Sequence, residues 1–145
     1  MKDLGPGPVG LDTAAFIYFI EEHPTYLPLL LPLFREADHG KREIVTSAVT
    51  LLEVLVVPYR AGDRPLADKY EALLTRGQGI RLVDPSRDQL RAAAQLRAAT
   101  NVKTPDALQL VAAIGCGSKV FLTNDRRLPA IPGIRIIELS SYATS

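Results

Sequence analysis

Four carboxylates end or interrupt apolar segments of this sequence. They are Asp12 in Val9-Gly10-Leu11-Asp12-Thr13, Glu53 in Leu51-Leu52-Glu53-Val54-Leu55, Asp106 in Thr104-Pro105-Asp106-Ala107-Leu108, and Asp125 in Thr123-Asn124-Asp125-Arg126. An acid inside a core-forming segment is costly, because an ionised carboxylate taken out of water must be paired or bound to a cation. Brought together, four such groups make an all-oxygen pocket suited to Mg²⁺ or Mn²⁺. A divalent ion there would acidify a bound water and relieve negative charge that develops on oxygen, the chemistry of metal-assisted hydrolysis. Four acids could hold one ion or two about 4 Å apart, and the sequence does not decide between these. No histidine base is then required. His23 and His39 have neither metal-ligand nor catalytic spacing.

Each acid also has an ordinary use. Asp12 and Asp125 suit helix caps, and Asp106 suits the first turn of a helix, where a carboxylate complements the macrodipole. Glu53 is hardest to explain this way. It is the only charge between Ile44 and Tyr59, in a helix that reads as apolar nearly all round. Asp84 also follows a predicted strand, but that strand belongs at the sheet edge, so Asp84 reads as loop chemistry before Pro85.

The elements that must position these acids are short. Val9–Leu11 is an apolar run, and Phe16–Ile20 a helix candidate. Thr25 is expected to cap a helix to about Asp38, with Pro32 kinking it and Gly40 stopping it. Ile44–Thr46 reads as a buried strand. Thr46 or Ser47 then caps a helix from Ala48 to Val57, stopped by Pro58. Arg64–Arg76 is an amphipathic helix and Ile80–Val83 a strand. Ser86-Arg87-Asp88-Gln89 is a capping box opening a helix to about Ala99. Thr104 caps the next helix, with Pro105 at its first position and the Gly115–Gly117 pair ending it. Lys119–Leu122 and Gly133–Leu139 are the last strand regions.

Short apolar strands alternating with helices predict an α/β fold. It is a three-layer α/β/α sandwich on a mainly parallel central sheet of about five strands. In such sheets ligands bind at the carboxyl ends of strands, where strand order reverses. If the chain winds outward through strands two and three and returns beside strand one, Asp12 and Asp125 become neighbours at that point. Glu53 leans back from the helix after strand two, and Asp106 approaches from the helix before strand four.

The bulk properties bound the partners. A chain of 145 residues is expected to form a single domain, burying roughly 70% of its unfolded surface, with residues 1–7 loose. One cysteine excludes an internal disulfide and suits a reducing cytoplasm; Cys116 reads as an inert small residue. A net charge of +1, from 17 basic and 16 acidic residues, excludes a strongly basic footprint over the whole domain. No stretch predicts a membrane span, and the longest apolar one, Tyr26–Phe34, carries Pro28 and Pro32. Its leucines exceed what one helix face can bury, so it is expected to pack against a second chain.

In order, Leu11-Asp12-Thr13, Glu53 in an apolar helix, Thr104-Pro105-Asp106-Ala107 and Thr123-Asn124-Asp125 resemble the PIN-domain family. Within that family, the chain is most similar to the VapC-type toxins of toxin–antitoxin pairs, over Val9 to Leu139. The resemblance implies a PIN-like fold, metal-dependent endoribonuclease activity, a homodimer and an antitoxin partner. It makes Asp12, Glu53, Asp106 and Asp125 the catalytic and metal-binding acids, with Mg²⁺ or Mn²⁺ as cofactor. It puts the Thr123 hydroxyl near the metal and implies products with a 5′-phosphate and a 3′-hydroxyl. Ala14 and Val56-Val57-Pro58 depart from the more polar residues frequent at those places. Thr123, Lys103, Arg126 and Arg127 flank the acids and are candidates for RNA contact, with Arg97, Lys41 and Arg42 weaker ones.

Two other readings use the same residues. A receiver-like signalling domain would need paired acids after the first strand and a lysine after the last. Here Asp12 stands alone and Ser140-Ser141-Tyr142 follows Leu139. A non-catalytic interaction module on the same scaffold is the stronger alternative, and RNA cleavage separates it from the enzyme.

Overall fold

The computed structural model describes residues 2–143. Its strands are β1 (Val9–Leu11), β2 (Ile44–Ser47), β3 (Ile80–Val83), β4 (Val120–Thr123) and β5 (Arg135–Glu138). All neighbouring strands pair in parallel, in the order β3-β2-β1-β4-β5. The winding out to β3 and back to the far side of β1 is the expected one, and it puts the reversal of strand order between β1 and β4.

The helices are α1 (Thr13–Ile20), α2 (Leu27–Asp38), α3 (Val49–Ala61), α4 (Arg64–Arg76), α5 (Arg87–Ala99), α6 (Thr104–Gly115) and the short α7 (Ser140–Ala143). They cover both faces of the sheet, because strand side chains alternate between faces. Val120 and Leu122 join Val9, Leu11, Phe16, Leu30, Phe34, Tyr70 and Leu74 in one core; Phe121 points the other way and packs with Ala93, Leu110, Ala113 and Ile134. Gly10 lets α6 lie directly on β1. A Cβ there would stand 2.7 Å from Ala113 Cβ and 2.8 Å from Phe121 Cδ1.

Several local expectations are corrected. Pro58 does not stop α3, which runs to Ala61 and ends at Gly62 in the left-handed region, φ 66°. Pro58 is buried against the chain's own packing, which offsets its missing amide donor, and its carbonyl accepts from Asp63 N at 2.9 Å where the helix ends. Thr25 does not cap α2. His23 Nδ1 accepts instead from Thr25 N and Tyr26 N, at 3.1 and 3.3 Å. Thr104 is the first residue of α6, and the preceding Lys103 makes no side-chain cap bond. The capping box of α5 is half made: Ser86 Oγ accepts from Gln89 N at 3.1 Å, while Gln89 Oε1 has no hydrogen-bond partner. Neither Thr46 nor Ser47 is the cap residue of α3; that place is Ala48, although Ser47 Oγ accepts from Val49 N at 3.3 Å.

Of the N-terminal stretch expected to be loose, Met1 lies outside the described residues. Lys2–Leu4 form a 3-10 turn, Leu4 is buried, and both Asp3 carboxylate oxygens accept from Tyr142 Oη, at 2.7 and 2.9 Å. In Tyr26–Phe34, Leu30, Leu33 and Phe34 are buried within the chain's own core, which leaves Leu27, Leu29 and Leu31 only half-exposed. Much of the apolar excess expected to face a second chain is therefore used internally. Among the described residues, no helix is long and apolar enough to cross a membrane.

Candidate active site

The residues that end β1 and β4 build the floor of the site. Asp12 follows β1 directly and is the N-cap of α1, its Oδ1 accepting from Ala15 N at 3.0 Å. Its Oδ2 accepts from the Thr123 hydroxyl at 2.6 Å and from Asn124 N at 3.3 Å. Asp12 is thus both the cap that its position suggests and a buried carboxylate, 6% exposed, bridging the two strands at the switch point. Burial drives its pKa up, against the three hydrogen bonds that favour the charged form.

The other three acids meet it in one cleft of about 360 Å³. Asp12, Glu53, Asp106 and Asp125 all line it, with Tyr18, Gln109 and Arg127 among their neighbours. Asp106 sits in the first turn of α6, where its pKa rises to about 6. Burial is the main cause, followed by the negative charges of Asp125, Asp12 and Glu53. Asp125 behaves oppositely. Arg127 holds its carboxyl below the ordinary range through Nε and Nη2, at 3.0 and 3.3 Å from Oδ1 and Oδ2. The backbone of Asp125 is tied back to Thr123 Oγ1 at 3.0 Å.

Glu53 reaches the cleft from α3, and the Thr13 hydroxyl donates to its Oε1 at 2.5 Å. Gln109 Nε2 donates to Thr13 Oγ1 at 2.7 Å and to Thr50 Oγ1 at 2.9 Å. Each acid but Asp106 is therefore turned onto a hydrogen-bond donor of the chain itself. As placed, no three His, Cys, Asp or Glu side chains among the described residues are arranged to hold an ion.

The flanking cations divide. Arg127 lines the acidic cleft, and Lys103 lines an adjoining one of about 220 Å³ with Asp106, Asp125 and Arg127. Arg126 does neither; its Nε lies 3.8 Å from Glu138 Oε2. Arg97 bonds Val102 O, and Arg42 bonds Glu36 and Gly7 O, so both have structural work. Thr123 is buried beneath Asp12 rather than facing outward.

Sequence reading missed Thr13, Thr50, Gln109, Asn124 and Tyr18. Thr13 is the neighbour of Asp12, and Gln109 is a lone polar residue among the apolar residues Ala107–Ile114, three residues after Asp106; those were the available signals. Asn124 joins three parts: it donates to Tyr18 Oη at 3.3 Å, and its Oδ1 accepts from Ser140 N at 2.9 Å.

This arrangement defines a class: a parallel α/β sheet with carboxylates gathered at its switch point. A sequence profile of the PIN domain matches residues 9–134, and the chain belongs to the PIN-domain family. Its fold is also that of solved toxin–antitoxin proteins. A chain of VapBC2 from Rickettsia felis, bound to a promoter DNA fragment, has 19% identity and a TM-score of 0.67, over 91% of this chain and 98% of that one. A chain of DNA-bound VapBC from Salmonella typhimurium has 23% identity and a TM-score of 0.61, over 93% and 99%. VapC20 of Mycobacterium tuberculosis, described as a toxin cleaving the sarcin–ricin loop, has 14% identity and a TM-score of 0.63, over 78% and 86%. A comparison with curated proteins found no match.

Proposed function

We propose that the chain is an Mg²⁺- or Mn²⁺-dependent endoribonuclease and the toxin of a toxin–antitoxin pair. The observation that carries this reading is the meeting of Asp12, Glu53, Asp106 and Asp125 in one cleft, with three of them raising the pKa of the fourth. Crowded carboxylates create a potential that a hard cation relieves, and the donor set is all oxygen, with no thiolate or imidazole in the lining. The donor chemistry therefore fits the ion, provided that the acids close on a common centre and Asp125 exchanges Arg127 for it. Bound there, the ion supplies an activated water and charge relief at the phosphate.

The chain's own residues do the rest. Asp12, Glu53, Asp106 and Asp125 would hold the ion. The hydrogen bonds from Ala15 N, Thr123 and Asn124 orient Asp12 before anything binds. Arg127, once released from Asp125, and Lys103 line the clefts at the acids and would contact RNA phosphates there. Likeness to chains solved in VapBC complexes supports an antitoxin partner.

The test uses purified protein free of antitoxin, incubated with structured RNAs in Mg²⁺, Mn²⁺ or EDTA. Cleavage is expected with either metal and absent in EDTA. Cleavage that persists fully in EDTA rejects the metal-dependent mechanism. Intact RNA under every condition favours the non-catalytic interaction module.

A further inference from the structure

We infer that Gln109 and Thr13 position Glu53, and that this relay sets the spacing of the acid-bearing helices and so the affinity of the cleft for its ion. The inference rests on the metal-dependent reading above.

The argument begins with proton counting. A threonine hydroxyl has one proton to donate, and a glutamine amide nitrogen has two. Gln109 Nε2 faces two hydroxyls, Thr13 Oγ1 at 2.7 Å and Thr50 Oγ1 at 2.9 Å, and donates one hydrogen to each. The Thr13 proton is then free for the remaining neighbour, Glu53 Oε1 at 2.5 Å. A reversed amide would present an acceptor to Thr13 and compete with Glu53 for that single proton. The direction of the amide therefore decides that Glu53 is held as an accepting carboxylate.

The placement of the three residues gives the relay its reach. Thr13 adjoins Asp12 at the start of α1, Thr50 lies one turn before Glu53 on α3, and Gln109 lies one turn after Asp106 on α6. One amide thus ties together the helices that carry three of the four acids. Gln109 is 1% exposed, so water does not compete for its bonds. The Thr50 hydroxyl continues to Thr46 Oγ1 at 2.7 Å, which anchors the far end on β2. A glutamine present only for packing would have no reason to donate to the threonine that holds a cleft carboxylate.

Mn²⁺ binding followed by electron paramagnetic resonance tests this in the parent and in Gln109→Leu, Thr13→Val, Thr13→Ser and the Gln109→Leu/Thr13→Val double variant, each checked for folding by circular dichroism. Gln109→Leu and Thr13→Val should each weaken Mn²⁺ by roughly ten- to a hundredfold, the usual effect of removing a partner behind a metal ligand. Thr13→Ser keeps the hydroxyl and should bind like the parent. The double variant should be no weaker than its weaker single, because both act through one chain of bonds. With RNA, kcat should fall while KM stays near the parent's. A folded Thr13→Val with parental Mn²⁺ affinity overturns the relay, as does equal loss in Thr13→Ser and Thr13→Val. If Gln109→Leu does not fold, the Thr13 pair decides alone. A parent that binds no Mn²⁺ overturns the nuclease reading itself, and the inference with it.

Discussion

Asp106 and Asp125 share a cleft but are shifted in opposite directions, by burial at the one and by an arginine at the other. Arg127 neutralises Asp125, while Asp106 is left with burial and three negative neighbours. Between its ordinary value of 3.8 and about 6, folded Asp106 keeps a proton that the unfolded chain releases. Stability therefore falls as pH rises through that window, and the loss is complete above it. In thermal melts from about pH 4 to about pH 7 in EDTA, Asp106→Asn should remove this part of the fall and melt higher than the parent above about pH 6. Parallel parent and variant profiles would show that the crowding is not felt. Asp12→Asn keeps the cap to Ala15 N while removing a buried charge. Metal-free, it should be as stable as the parent or more so. It should lose RNA cleavage, and its Tm should respond less to Mg²⁺, because an ion that binds the folded state alone stabilises in proportion to its affinity. Equal Mg²⁺ shifts in parent and variant would remove Asp12 from the site.

At the scale of elements, the close approach of α6 to β1 is what places Asp106 and Gln109 beside the strand end that carries Asp12. Gly10 permits that approach, since any Cβ would meet Ala113 and Phe121 well inside contact distance. Gly10→Ala should cost about 1–3 kcal/mol by overpacking, read from urea unfolding midpoints. It should also lower Mn²⁺ affinity by pushing α6 outward. An unchanged midpoint would mean that the layers yield at no cost. The existence of α1 to α6 was legible in the alternation of apolar runs and caps, and Ser86 and Asp12 cap as their sequence positions suggest, whereas the Asp63 cap of α4 and the short α7 were not read. Termini were less legible. Pro58 reads as a stop in isolation, but its burial and the carbonyl bond from Asp63 carry α3 on to Gly62.

Across the whole molecule, charge is nearly balanced at +1, so RNA cannot be gripped by a general basic surface. Only Lys103 and Arg127 among the proposed cations line the clefts at the acids. Binding of single-stranded RNA should then depend weakly on salt, with a slope of log K against log salt of about −1.4, from two phosphate contacts at about 0.7 each. Fluorescence anisotropy across a salt series measures it. A slope several times steeper would mean that a basic face beyond these two residues carries the RNA.

The α/β alternation, the mainly parallel sheet and the four acids that line one cleft were legible in the sequence alone, because hydrophobic period and misplaced charge are local properties of the chain. Thr123 and Asp125 could be placed near Asp12 only by assuming the winding order, which the strand pairing then supplied. What only the tertiary structure decided is how each acid is held. Arg127 turns onto Asp125, Arg126 turns to Glu138, and Gln109 reaches Thr13 across 96 positions of sequence. Those choices depend on distances between side chains from different elements, and hydrogen-bond strength falls steeply with distance and angle. No pattern along the chain encodes them until packing brings the helices together.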